Sequence, residues 1–264
     1  MSWGEALLLA LVQGLTEFLP VSSSGHLAAL QNYISGFKGG DLAYEVLLHV
    51  GTLAAVLVYY RRDLWGMLRG LIGNDPRAAA SRRLMWMVAA GTLPTGIIYF
   101  LFKKPIEASF GNLASIGAGF LLTGAVVYFT PRAGGGRPET LMRWRDAVVI
   151  GVAQGAALLP SISRSGSTIA AALYLGLDRE LAVRYSFLLS IPAIVGAVAF
   201  EGSGIAGAGA APAVYLTGTA IAGIVGYASI GVLLKLVRAG RLAGFAYYCW
   251  ILGAAILLQQ MIAR

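Results

Sequence analysis

The sequence predicts an all-α polytopic membrane protein, with about six transmembrane helices and two re-entrant helical hairpins in an inverted-topology repeat. Three observations carry this. Of the 264 residues 58% are hydrophobic and 12% charged, with mean hydropathy +0.74. Apolar runs of about 20 residues, long enough to cross a hydrocarbon core of ~30 Å, recur along the chain. Two polar stretches, QGLTEFLPVSSSGH at 13–26 and QGAALLPSISRSGST at 154–168, interrupt this pattern and share an outline.

The elements follow in order. Residues 3–34 form two apolar pieces around LPVSSSG. Each is too short to span at ~1.5 Å per residue, and Pro20 breaks the helix between them. The start MSWGEALLLALVQG has an acid and no Lys or Arg before its apolar run, which predicts no cleaved signal peptide. Spans are predicted over roughly 42–60, 84–102 and 111–130. Residues 145–176 repeat the broken pair around LPSISRSG and Pro160, and further spans are predicted over roughly 184–200, 212–234 and 243–262. Irregular backbone at membrane depth is tolerated only where protein or a wet cavity surrounds it, so both tips should line a cavity.

A shift of 141 residues superposes Gln13 on Gln154, Gly14 on Gly155, Gly25 on Gly166, Tyr44 on Tyr185 and Leu47-Leu48 on Leu188-Leu189. The chain thus reads as one membrane domain, 1–264, of two repeats at about 1–131 and 142–264. A hairpin followed by three crossings turns the second repeat upside down, bringing the tips together from opposite faces. On that topology one face receives Lys38, Lys103, Lys104 and Arg264, while the loops at 61–83, 131–145, 177–184 and 235–241 carry 15 basic residues. The positive-inside rule makes the second face cytoplasmic and places both termini and the first hairpin's opening outside. The basic residues lie in these short loops, where they touch membrane lipids, so the net charge of +8 is no sign of nucleic-acid binding. With Cys249 the sole cysteine, disulfides within the chain and cysteine-rich metal sites are excluded.

Glu17, a carboxylate at membrane depth, is a functional candidate by default, and Gln13 shares its helical face at i−4. Ser22, Ser23 and Ser24 precede the next helix. One N-cap suffices, and we assign it to Ser24, leaving a hydroxyl near Glu17 and His26 as an oxygen nucleophile. His26 suits acid or base work. In the second tip Arg164 needs an anion, and its flat fork suits phosphate. Ser163, Ser165 and Gly166 should form an anion nest at a helix N-terminus, with Thr168 adding a hydroxyl. The structural alternative is an Arg164–Glu17 ion pair across the tips. Glu45 and His49 are weaker candidates, four residues apart in the first span. Arg61, Arg62, Trp65 and Arg69 read as an interfacial segment.

QGLTEFLPVSSSGHL and LPSISRSGST resemble the two signature regions of the undecaprenyl-pyrophosphate phosphatase family, the membrane enzymes associated with bacitracin resistance. Gln13 and Glu17 match its (Glu or Gln)-x-x-x-Glu pattern, followed by the Ser-rich turn and His26; Pro160, Ser163, Arg164, Ser165 and Thr168 match the second motif. Ser161 stands where the family usually has Gly and would be strained if that position needs positive φ. Gln13 is the uncharged option, which leaves a single carboxylate at the site.

The resemblance implies hydrolysis of undecaprenyl pyrophosphate to undecaprenyl phosphate and inorganic phosphate in the bacterial inner membrane, recycling the lipid carrier of cell-wall synthesis. Bacitracin would compete by binding that substrate. The implied catalytic set is Glu17, Ser23 and His26. Gln13, Ser22, Ser163, Arg164, Ser165, Gly166 and Thr168 would hold phosphate, and a Mg²⁺ or Ca²⁺, with Glu17 as a ligand, would neutralise charge. Ser23 and His26 both remain open as the nucleophile. A lipid flippase or anion transporter with the same midplane site is the alternative, and homodimerisation is left open.

Overall fold

The structure is a computed structural model and describes residues 1–33, 42–130, 136–201 and 212–262. Lys38, Arg264 and the 131–135 part of a basic loop lie outside the described residues. Within them the chain is all-helical: α1 Trp3–Thr16, α2 Ser23–Tyr33, α3 Leu42–Tyr59, α4 Arg61–Gly70, α5 Pro76–Phe110, α6 Leu113–Tyr128, a 3-10 turn Glu139–Leu141, α7 Trp144–Ala156, α8 Arg164–Tyr174, α9 Arg179–Glu201, α10 Pro212–Arg238 and α11 Ala243–Ile262.

Both predicted hairpins are present. α1 (14 residues) and α7 (13 residues) end at Thr16 and Ala156, each four residues before a proline. A proline ring clashes with the carbonyl of residue i−4 and offers it no N–H, so Pro20 and Pro160 stop the two helices at the same distance. α2 and α8, 11 residues each, resume after the turns. Helices this short rise only about 16–21 Å.

The spans differ from their predicted bounds where hydropathy and helicity part. Four helices, α5, α9, α10 and α11, are each long and apolar enough to cross a membrane. α5 covers Pro76–Phe110, well beyond the predicted 84–102. Asp75 caps it, accepting from the amides of Arg77 and Ala78 at 2.9 Å, with Pro76 at the first position. Those amides, Ala78's first, hold the Asp75 carboxyl below its usual range. At the other end the helix kinks at Phe102 (φ −116°, ψ 15°), three residues before Pro105. α3 runs into α4 through a bend of 72°. α6, predicted over 111–130, has 16 residues and is shorter than a full crossing.

Contacts recur between the halves. The Tyr44 hydroxyl donates from α3 to the Ala6 carbonyl of α1 at 2.7 Å, and its ring lies against Gly218 of α10. The Tyr185 hydroxyl donates from α9 to Met87 of α5 at 2.7 Å and lies against Gly91. Likewise Gly14 of α1 packs on Val225, and Gly155 of α7 packs on Ile98. Gly218 and Val225 stand 127 positions after Gly91 and Ile98, whereas Tyr185 stands 141 after Tyr44. The 14-position difference falls where α4 and its turns lie, between α3 and α5.

Apolar side chains fill three clusters. The largest joins Phe18 of the first tip to Met87, Ile150, Phe187 and Leu233; a second surrounds Leu9 and Tyr44, and a third surrounds Phe120 and Cys249. Ion pairs gather the predicted basic loops at one end: Arg184 with Asp63 and Glu139, Arg238 with Glu180 and Arg137 with Asp146.

Candidate active site

The two tips meet. A Cβ on Gly25, at the start of α2, would strike Ser161 of the second tip, while Gly166 of α8 stands against Pro20 of the first. The Ser165 hydroxyl donates to the Leu19 carbonyl at 3.2 Å. Thr123 of α6 fixes the second turn by donating to the Ser161 carbonyl at 2.7 Å and accepting from the Ser163 amide at 2.9 Å.

Glu17 is the centre of the contact. Its carboxylate is buried, accepting from Arg164 on one oxygen and from the Ser23 hydroxyl on the other. Gln13 Nε2 donates to the Ser23-facing oxygen at 3.1 Å. Gln13, Glu17, Ser23 and Arg164, drawn from both halves, thus form one hydrogen-bonded group. The Arg164–Glu17 pair weighed as the structural alternative is present, and it adjoins the Ser–carboxylate contact that chemistry requires. One polar atom is left over: Gln13 Oε1 is buried without a partner among the described residues.

His26 is buried beside this group and bonded elsewhere. Its Nδ1 lies 2.6 Å from the Ser22 carbonyl and its Nε2 lies 2.7 Å from the Tyr248 hydroxyl of α11. Phe120 closes against the ring edge-on at 5.1 Å. Neither ring nitrogen is hydrogen-bonded to Glu17 or Ser23.

The capping expectation is corrected. Ser22, not Ser24, precedes α2 and accepts from the Gly25 amide at 3.4 Å, while Ser24 bonds laterally to Ser22 at 3.2 Å. Ser163 does the same for α8, accepting from Gly166 at 3.0 Å. Ser22 and Ser163 are 141 positions apart, so the cap belongs to the repeat. Ser22 pays for it with a left-handed backbone at φ 64°, and Ser161 has φ 60°, the conformation that favours the glycine usual there.

For an anion this leaves the Arg164 guanidinium and the first-turn amides of Ser23, Ser24, Arg164 and Ser165, which helix geometry leaves unpaired. The Gly166 amide is taken by the cap. The Ser165 hydroxyl also faces Ser163 at 3.2 Å. The Thr168 hydroxyl turns away, back to the Arg164 carbonyl at 2.8 Å and across to Ser186 of α9 at 2.5 Å.

The structure brings the weaker candidate His49 to the site and adds Tyr248. His49 Nε2 lies 3.8 Å from Glu17, with its Nδ1 on the Glu45 carbonyl at 2.8 Å. Glu45 itself accepts from Gln31. Tyr248 gave no sequence signal, being one of several aromatics in an apolar span.

Among the described residues no three His, Cys, Asp or Glu side chains converge. An all-protein metal cage is therefore not built here. One carboxylate and the unpartnered Gln13 oxygen do fit a Mg²⁺ or Ca²⁺ whose other ligands are phosphate oxygens and water.

Comparison with known proteins matches residues 6–255 to the family described as bacitracin resistance protein BacA. A protein of Syntrophotalea carbinolica named undecaprenyl-diphosphatase is 43% identical over 255 residues, covering 96% of this chain and 97% of that one. One of Methanosphaera stadtmanae with the same name is 39% identical, covering 98% of both chains. A third, from Desulfatibacillum aliphaticivorans, is 41% identical over 99% of this chain and all of its own.

Proposed function

The chain belongs to the BacA family of bacitracin resistance proteins, and from that membership we infer that it is a multi-pass membrane phosphatase. It hydrolyses undecaprenyl pyrophosphate to undecaprenyl phosphate and inorganic phosphate. The observation that carries this reading is the Ser23 hydroxyl held on the Glu17 carboxylate with Arg164 across it. Transport alone calls for no such aligned hydroxyl.

The mechanism follows from what each side chain can reach. Arg164 and the amides opening α2 and α8 take the pyrophosphate charge, which loosens the resting pair with Glu17. Ser23 Oγ attacks the terminal phosphorus as its proton passes to Glu17. The bond from that phosphorus to the bridging oxygen breaks, and undecaprenyl phosphate leaves. Water then cleaves the phosphoserine, Glu17 assisting, to give inorganic phosphate and free Ser23. His26 acts as the acid or base on the leaving side. Its occupied nitrogens support Ser23 over His26 as nucleophile. Gln13 and Glu17 would hold a divalent cation, whose part is charge neutralisation.

The finer placement belongs to the same reading. Two inverted repeats, about 1–131 and 142–264, bring the tips together at the midplane; the matching contacts of Tyr44 with Gly218 and of Tyr185 with Gly91 support this. The basic loops face the cytoplasm, and the termini and the site's opening face outward across the cytoplasmic membrane. Bacitracin opposes the enzyme by sequestering the pyrophosphate lipid.

Phosphate release from undecaprenyl pyrophosphate by the purified protein tests the reading. We expect release by the wild type and loss in Ser23→Ala and Arg164→Ala; equal release by all three overturns it. A phospho-enzyme stable to mild acid and labile to alkali identifies Ser23, and the reverse lability defeats that assignment.

A further inference from the structure

We propose that Tyr248 is the positioning residue of His26, holding the imidazole in one tautomer and one orientation through both of its protonation states. The inference rests on the phosphatase reading and deepens it, since it concerns how one member of the site is made ready.

The geometry assigns the protons. The Ser22 carbonyl can only accept, so at 2.6 Å it fixes the hydrogen of His26 on Nδ1. Neutral His26 then carries its lone pair on Nε2, and the Tyr248 hydroxyl 2.7 Å away is the donor to it. When Nε2 takes up a proton the bond reverses, with Nε2–H donating to the phenolic oxygen. A hydroxyl both donates and accepts, so Tyr248 serves either state without the ring turning; an amide donor or a carboxylate would suit only one.

The surroundings agree. The ring cannot tilt toward Phe120, which stands edge-on at 5.1 Å. Tyr248 is itself held in place: the adjacent Cys249 is fully buried with its sulfur on the Pro20 carbonyl at 3.9 Å, so this turn of α11 sits directly on the first tip. Ser22, whose backbone supplies the other anchor, is fixed in the left-handed region by its own cap. His26 is thereby clamped between the tip that carries Glu17 and a helix from the opposite half. Tyr248 is 46% exposed, so its ring can swing off Nε2 and yield it to a substrate oxygen without opening the core.

The test is Tyr248→Phe, which removes one hydroxyl from a half-exposed ring. With undecaprenyl pyrophosphate we expect kcat to fall about 10- to 100-fold, part of the range for acid–base help, with KM within about twofold because no phosphate contact is lost. In protein labelled with ¹⁵N at histidine, the Nε2 resonance of His26, identified by its loss in His26→Ala, should move to that of a lone pair without a donor. Unchanged kcat with an unmoved resonance overturns the proposal while leaving the phosphatase reading intact. A rise in KM with kcat unchanged also overturns it, placing Tyr248 on the substrate instead. No phosphate release from the wild type overturns both readings.

Discussion

Breaking the Glu17–Arg164 pair from either side should separate stability from chemistry. Glu17→Gln leaves the part-exposed Arg164 guanidinium without its partner, a change that costs about 1–3 kcal/mol, and it removes the base on Ser23. We expect a lower unfolding temperature in detergent and activity reduced by at least about 100-fold. Ser23→Ala should lose as much activity at a cost of only about 1 kcal/mol. Ser161→Gly should act in the opposite direction: it relieves a left-handed residue and deletes a buried hydroxyl without a partner among the described residues, raising stability by about 1 kcal/mol in a thermal scan. At this scale the sequence exposes Gln13, Glu17, Ser23 and Arg164 because each is polar where its neighbours are apolar. The cap at Ser22 is hidden, since nothing in three consecutive serines tells which one turns left-handed. His49 is underweighted for another reason. Its meaning depends on Glu17, which reaches it from just past the end of α1, and sequence alone offers only its own helix neighbour Glu45.

Among the elements, the helix stops are the most legible. Pro20 and Pro160 act through a clash four residues upstream, a local rule that needs no tertiary information. The long reach of α5 is not legible from hydropathy, which registers the solvent and not the backbone: Arg77–Arg83 and Lys103–Glu107 are helical although polar. Packing makes a sharper prediction. Gly218→Ala forces a methyl against the Tyr44 ring and should cost about 1–3 kcal/mol. Pairing it with Tyr44→Phe, which withdraws the oxygen nearest that methyl, should recover part of the loss. A fully additive double mutant in denaturant unfolding would count against this contact. Ser163→Ala should cost about 1 kcal/mol by uncapping α8.

For the whole molecule, orientation is the quantity to check. Lys104→Cys should react with a membrane-impermeant maleimide in intact cells, and Arg77→Cys only after permeabilisation; the reverse pattern inverts the topology. Buried Cys249 should stay silent in both. The 141-residue recurrence is legible at the tips and in the following span, where identical residues coincide. It fades further on, where the offset falls by 14 positions, and the contacts that make Gly218 the counterpart of Gly91 and Val225 the counterpart of Ile98 bring the register back.

That intervening piece, α4, is bent 72° from α3. Arg61, Arg62 and Arg69 stand there beside the exposed Trp65, Leu68 and Ile72, the Arg69 guanidinium lying 5.2 Å over the Trp65 ring, a mixture of basic and aromatic groups that suits a membrane boundary. A segment lying flat at the boundary works as a depth gauge. Placed so, it would set the vertical level of the bundle, and so the height at which Ser23 waits for a phosphate whose lipid tail is anchored by the same bilayer. Membrane thickness then enters the encounter between enzyme and substrate as a matter of alignment, much as draught decides whether a hull meets its quay.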